Sequence, residues 1–158
     1  MNKKLLLKRL LATLEEVHQC AVDAAKRAYD TATDNENVAE NQYDTLALEA
    51  SYLAHGQSVR VEQCAQDINA FKALNINNLP TKVSAGALVR LLDDNDHEKW
   101  LFFAPTAGGL SINFADKTVV VVTASSPLGA AINQAEVGQE ITINIASKTI
   151  HYEVMEIY

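Results

Sequence analysis

Between Leu7 and Ala28 the apolar positions fall at Leu7, Leu10, Leu14, Val17, Ala21, Ala24 and Ala28. This alternation of three- and four-residue steps lays one seam along one helix. The seam narrows from leucine to alanine as it runs forward, so a partner helix can approach more closely toward the far end. A second run, Tyr43, Leu46, Ala50, Leu53, Gln57, Val61, Cys64, Ile68 and Phe71, keeps the alternation except for a repeated four-residue step at Gln57, a stutter that locally unwinds a supercoil. Gly56 sits beside it, and close packing or a bend would explain a residue that costs a helix about 1 kcal/mol relative to Ala. The intervening Asp30–Asn41 stretch holds Asp, Thr and Asn, which favour caps and turns over helix interior. The chain is therefore expected to reverse near 33–37. Each arm of roughly 30 residues, at a rise of 1.5 Å per residue, gives a rod of about 45 Å.

Asn75–Pro80, with three asparagines and a proline, ends the second helix. The period then shortens. Strands are predicted at Ala87–Leu92, Trp100–Ala104, Ser111–Phe114, Thr118–Thr123, Ile141–Ala146 and Thr149–Ile157, separated by turns at Asp93–Glu98, Pro105–Gly109 and Gly138. Pro127 suits the first turn of a short helix over Pro127–Asn133, with Ser126 as its N-cap. The expected organisation is a helical hairpin over 1–76 with its tip near 33–41, a linker at 77–82, and a small β-rich domain over 83–158. This is an α+β chain whose Trp100, Phe102 and Phe103 are read as sheet core.

Composition narrows the functional classes. Thirteen Lys and Arg against 20 Asp and Glu leave a net charge of −7, which disfavours binding duplex nucleic acid through a basic surface. No direct sequence-specific DNA binding is expected. Lys8 and Arg9 interrupt the apolar Leu5–Leu7 after three residues, so neither a secretory leader nor a membrane span is expected, and a cytoplasmic location is. Cys20 and Cys64 lack the spacing of a disulfide framework or zinc site and are read as buried free thiols. His18, His55, His97 and His151 are scattered with no nucleophile motif beside them, which argues against an independent hydrolase.

Charge is unevenly spread along the hairpin. Lys3, Lys4, Lys8 and Arg9 crowd its root, whereas no Lys or Arg occurs from Ala28 to Val59, a stretch that holds Asp30, Asp34, Glu36, Glu40, Asp44 and Glu49. Solvated acidic surface and helix capping account for such residues in many proteins. Clustered carboxylates also offer hard oxygen ligands to Mg²⁺, completed by waters and by another protein's carboxylates. A rod that carries them into a partner's active site would orient water for in-line phosphoryl chemistry.

Three stretches resemble the bacterial Gre transcript-cleavage factors and their relatives. Asn37-Val38-Ala39-Glu40-Asn41-Gln42-Tyr43 is similar to that family's tip motif, and Gly56 follows at the family's spacing. Thr118–Ile132 with Val137-Gly138-Gln139-Glu140 resembles the family's strand, Ser-Pro helix and glycine turn, and Ala104–Gly109 a glycine turn of some relatives.

The resemblance implies an antiparallel coiled-coil hairpin followed by a domain of FK506-binding-protein-like fold. It implies a monomeric accessory factor, not itself an enzyme, that enters the secondary channel of bacterial RNA polymerase and docks on the channel rim through Ser125, Ser126 and Pro127. Glu40, Glu36 and Asp34 would be the tip carboxylates that assist the polymerase, flanked by Asn37 and Asn41. No metal or cofactor of its own is implied, and Mg²⁺ enters only within the polymerase active site. Two positions depart from the family pattern, since Asn37 and Ser125 each stand where the family has an aspartate. These departures favour the alternative of a non-cleaving channel regulator or competitor of Gre factors. A peptidyl-prolyl isomerase is a third class, suggested by fold analogy alone.

Overall fold

The computed structural model describes residues 2–33, 46–76, 80–145 and 148–158. Residues 34–37 of the expected reversal, the seam residue Tyr43, residues 77–79 of the expected linker and the strand end at Ala146 lie outside them. The chain divides into two compact units, Leu11–Asn69 and Met1–Leu10 with Ala70–Tyr158.

Helix α1 (Lys3–Thr33) and helix α2 (Leu46–Lys72) supply the first unit with all but their outer ends, since α1 up to Leu10 and α2 from Ala70 belong to the second. Thr13, Val17 and Ala21 share one groove with Gln57 and Arg60, whereas Ala24 and Ala28 share another with Ala50 and Leu53. Rising numbers on one helix meet falling numbers on the other, so the pair is antiparallel. Leu14, Ala21 and Ala28 are buried along α1, as are Ala50, Cys64 and Ile68 along α2, which reproduces most of the expected seam.

Four details differ from the sequence expectation, the first being that at the start of α1 Leu6 is fully buried while Leu7, the expected seam residue, is only partly so. Leu53 is 56% exposed although it lies on the seam, because the facing Ala24 and Ala28 are too small to enclose it. A Cβ on Gly56 would meet nothing within 4 Å, so close packing does not explain that glycine. Cys20 is exposed and only Cys64 is buried. Among the described residues no helix is long and apolar enough to cross a membrane.

In the second unit the start of α1 is capped by Asn2, whose carbonyl oxygen accepts from Leu6 N (3.0 Å) and whose side-chain Oδ1 accepts from Leu5 N (3.1 Å). Six strands follow the helices: β1 (Leu88–Asp93), β2 (Glu98–Phe103), β3 (Ser111–Phe114), β4 (Lys117–Val122), β5 (Glu140–Ile145) and β6 (Lys148–Ile157). A short helix α3 (Pro127–Ile132) lies between β4 and β5. The sheet order is β3-β4-β2-β1-β6-β5, antiparallel throughout except for the parallel pair β2–β4. The protein is thus an α+β chain with a long helical region followed by a mixed six-stranded sheet.

Strand alternation sorts the apolar residues onto two faces. Val89, Leu91, Leu101, Phe103, Ile141, Ile143 and Val154 gather with Ile132 of α3 into the main core. On the opposite face Leu88, Trp100, Phe102, Val119 and Val121 are also buried, and Phe71 from the end of α2 packs on Phe102 with ring centroids 6.0 Å apart. Trp100, Phe102 and Phe103 are therefore sheet core, as the sequence predicts. Strand β2 begins two residues earlier than expected, because Glu98 pairs with Leu92 across β1.

Candidate docking site

The Ser-Pro segment forms the corner between β4 and α3. Ser126 holds an extended backbone (φ −82°, ψ 150°), and Pro127 occupies the first turn of the helix, where its missing N–H leaves no bond unmade. The Ser126 hydroxyl serves two bonds at once. It donates to Thr123 O (2.8 Å) and accepts from Gly129 N (3.1 Å), which ties the strand end to the helix start. Backbone bonds from Ser126 N to Thr123 O (3.0 Å) and from Ala130 N to Ser126 O (2.8 Å) close the same turn. Ser125 is exposed, and its hydroxyl shares a hydrogen bond with Thr123 Oγ1 at 2.9 Å. The structure thus brings Ser125, Ser126 and Pro127 together on one corner, with Ser125 and Pro127 facing solvent.

Two glycines shape this corner. A Cβ on Gly129 would stand 1.9 Å from the Thr123 carbonyl oxygen, and one on Gly108 would stand 3.2 Å from the Thr123 side chain. Gly129 is therefore required by close backbone approach. Gly108 belongs to the Pro105–Gly109 turn, which is fixed by bonds from Ala104 N to Val122 O and from Gly109 N to Val121 O, both 2.9 Å. Ala107 (φ 58°) and Gly109 (φ 92°) complete the turn in left-handed conformations.

The two turns meet because β2 and β4 run parallel, with Phe103 opposite Val122, so the C-terminal ends of both strands reach the same edge of the sheet. Thr123, Gly108 and Gly129 shape the corner; all three lie in the stretches that carry the resemblance, but no linear feature marks them as neighbours. Their signal was the position of two glycine turns at the ends of two strands, and only the parallel pairing reveals that they are neighbours.

Away from the corner, one face of the sheet carries a charged network with no linear signature. Glu98 bonds Lys117 (2.8 Å), Arg90 (2.9 Å) and Trp100 Nε1 (3.2 Å). Arg90 also pairs with Glu156, which Tyr158 hydrogen-bonds in turn, and Trp100 stacks on Tyr158 with centroids 6.1 Å apart. These donors, Lys117 foremost and then Arg90 and Trp100, hold the Glu98 carboxyl at a pKa of about 2. Glu156 is lowered as well, first by the Tyr158 hydroxyl. The network uses its charges internally and orders four strands.

The tip residues Asp34, Glu36, Asn37, Glu40 and Asn41 lie outside the described residues. Among the described residues no group of three or more His, Cys, Asp or Glu side chains is arranged to hold a metal ion. His97 pairs with Asp93 at 3.3 Å and His151 shares a hydrogen bond with Thr142 at 3.0 Å, both as turn and cross-strand contacts.

Fold and corner together define an α+β protein with an antiparallel helix pair and a glycine-shaped corner at one sheet edge. No protein-family model matches the chain, and none of the curated proteins is similar to it in sequence. Among solved structures it is similar to that of the transcription factor Gfh1, with 18% identity over 96% of this chain and 92% of that one and a TM-score of 0.43. It is similar to GreA factor homolog 1 (Gfh1) of Thermus thermophilus, with 17% identity over 96% and 92% and a TM-score of 0.39. It is also similar to the prokaryotic transcription elongation factor GreA/GreB from Nitrosomonas europaea, with 14% identity over 70% of this chain and 91% of that one and a TM-score of 0.38.

Proposed function

We propose that this chain is a transcription elongation factor that binds bacterial RNA polymerase through the secondary channel. There it would modulate backtracked complexes by stimulating the polymerase's own transcript cleavage. The observation that carries this reading is the corner at Thr123–Gly129, where the Ser-Pro residues of the Gre-like pattern are held rigid and two of them face solvent. A small domain that docks through such a corner leaves an antiparallel helix pair free to act elsewhere on the partner. In this reading the β-rich domain is FK506-binding-protein-like and the protein is a monomer with no catalytic centre of its own.

Glu40, with Glu36 or Asp34, is the group proposed to act in the polymerase active site. As donors these carboxylates fit the hard Mg²⁺ ion of that site, and their task would be to position the attacking water. The amide of Asn37 is a poorer ligand for such an ion. Cleavage of the transcript in a stalled, backtracked complex tests the idea directly. Wild-type protein should accelerate release of the 3′ fragment, by at least about tenfold if one carboxylate supplies general-base or positioning help, and Glu40→Ala should abolish the gain. No acceleration by wild type sinks the cleavage reading.

The neutral residues Asn37 and Ser125 favour a second version, in which the protein occupies the channel without promoting cleavage. Asn37→Asp separates the two. Cleavage gained by that variant shows that binding was intact and a carboxylate was missing.

A further inference from the structure

Charge is segregated within the second unit. Residues 1–14 and 68–92 hold Lys3, Lys4, Lys8, Arg9, Lys72, Lys82 and Arg90, seven of the 13 Lys and Arg, and none of the 20 Asp and Glu. Lys82 pairs with Glu136, and Arg90 with Glu98 and Glu156. The other five stand where α1 begins and α2 ends, both within this unit. The first turn of α1 holds no acidic residue, and Lys3 and Lys4 there oppose a helix dipole whose positive end favours acids. Helix stability therefore does not account for these cations.

A pocket of about 370 Å³ lies at this basic end, lined by Lys3, Asn75, Thr81, Ser84 and Gly86 among others. Its described lining offers an ammonium, two hydroxyls and an amide, and no carboxylate. One wall is fixed before any ligand arrives. Gly86 is left-handed (φ 88°), and a Cβ on it would stand 3.3 Å from the Asn75 carbonyl oxygen. Bonds from Gly86 N to Phe103 O (2.8 Å) and from Ala87 N to Ser84 O (2.9 Å) hold the same turn. Burial lowers the pKa of the Lys3 ammonium, which is the position of a cation withdrawn from water that an anion would stabilise.

The lining and the charge together select the ligand. A lysine acts on phosphate as a point charge, and the several oxygens of a phosphoryl group match donors spread around a pocket, whereas a carboxylate is best met by the planar fork of an arginine. The volume is at the small end for ligand sites, and the net charge of −7 opposes a long polyanion while leaving a small one to the local field. We infer that the Lys3–Ser84 pocket binds the phosphoryl group of a small molecule. It shares no residue with the Ser-Pro corner, and its ligand does not depend on the polymerase reading.

The test titrates the full chain with inorganic phosphate and with GMP at constant ionic strength, following backbone amide resonances. At least one probe should shift the Ala85 and Gly86 amides saturably. Tighter binding of GMP identifies a phosphomonoester as the source, and equal or tighter binding of phosphate identifies the free ion. Lys3→Gln should weaken binding by about tenfold or more, as for one charge-assisted hydrogen bond, and Ser84→Ala by about fivefold. Lys8→Gln, which does not line the pocket, should change it by less than about twofold, because solvent and salt screen an exposed charge. Circular dichroism and the melting midpoint without ligand check that each variant is folded, and Ser84→Ala carries the comparison should Lys3→Gln unfold. Absence of a saturable shift with both probes overturns the site. Equal weakening by Lys8→Gln and by a folded pocket variant also overturns it, since diffuse charge then suffices. So does a single-stranded oligonucleotide held at the same amides more than about tenfold more tightly than GMP, which marks a surface for a chain of phosphates.

Discussion

At the residue scale the corner depends on one absent side chain. A Cβ on Gly129 cannot be accommodated by a rotamer change, because the atom it would meet is the Thr123 backbone carbonyl oxygen. Gly129→Ala should therefore cost at least about 2 kcal/mol, at the upper end of ordinary overpacking, and under the proposed docking should weaken polymerase binding along with stability. Ser126→Ala removes one acceptor and one donor from the same turn, with an expected loss of about 1 kcal/mol in chemical denaturation. The sequence identified Ser126 as a cap from its place before Pro127. It concealed the clash at Gly129, since the carbonyl concerned lies six residues back and reaches the glycine only through the fold of the turn.

Elements show where pattern reading succeeds and where it fails. The six strands and three helices were legible from period and turn residues, because each has a buried face that repeats at its own spacing. Strand order was not legible: nothing in Glu98–Phe103 or Lys117–Val122 marks them as a parallel pair, and the intervening β3 separates them in sequence. The Arg90–Glu98–Lys117–Glu156 network was hidden for the same reason, with one member on each of β1, β2, β4 and β6.

Two measurements belong to this scale. Glu98 has its pKa lowered in the folded state to about 2 from 4.5, so its contribution is fully present above about pH 4.5 and is lost as pH falls toward 2. Glu156 and Asp93 are lowered too and act in the same direction. Glu98→Gln should flatten the fall in melting temperature across that window and leave the profile above it parallel to wild type. On α2, Gly56 is exposed and helical, with open space where a side chain would begin. Gly56→Ala should then stabilise by about 1 kcal/mol, seen as a higher melting midpoint of the helical signal.

For the molecule as a whole, the corner proposed to dock and the chemistry proposed for the tip fall to different parts of the chain. Residues of the corner are fixed by hydrogen bonds and glycine contacts, whereas the role of Glu40 follows from resemblance and charge. The motifs carry the proposed reading as far as they extend, and within it the choice between promoting cleavage and merely occupying the channel turns on the neutral residues Asn37 and Ser125.

The parallel register of β2 and β4 has a consequence for how binding competence arises. Neither glycine turn makes the corner alone, and the strand ends that unite them are joined through a β3 excursion instead of a direct hairpin. Pairings that close non-local loops form late, because loop closure is entropically costly before the contacts reward it. The corner should therefore be absent from nascent or partly folded chains and come into being with the completed sheet. A partner that docked on it, as proposed, would sample only finished molecules and by mass action would hold them in that state.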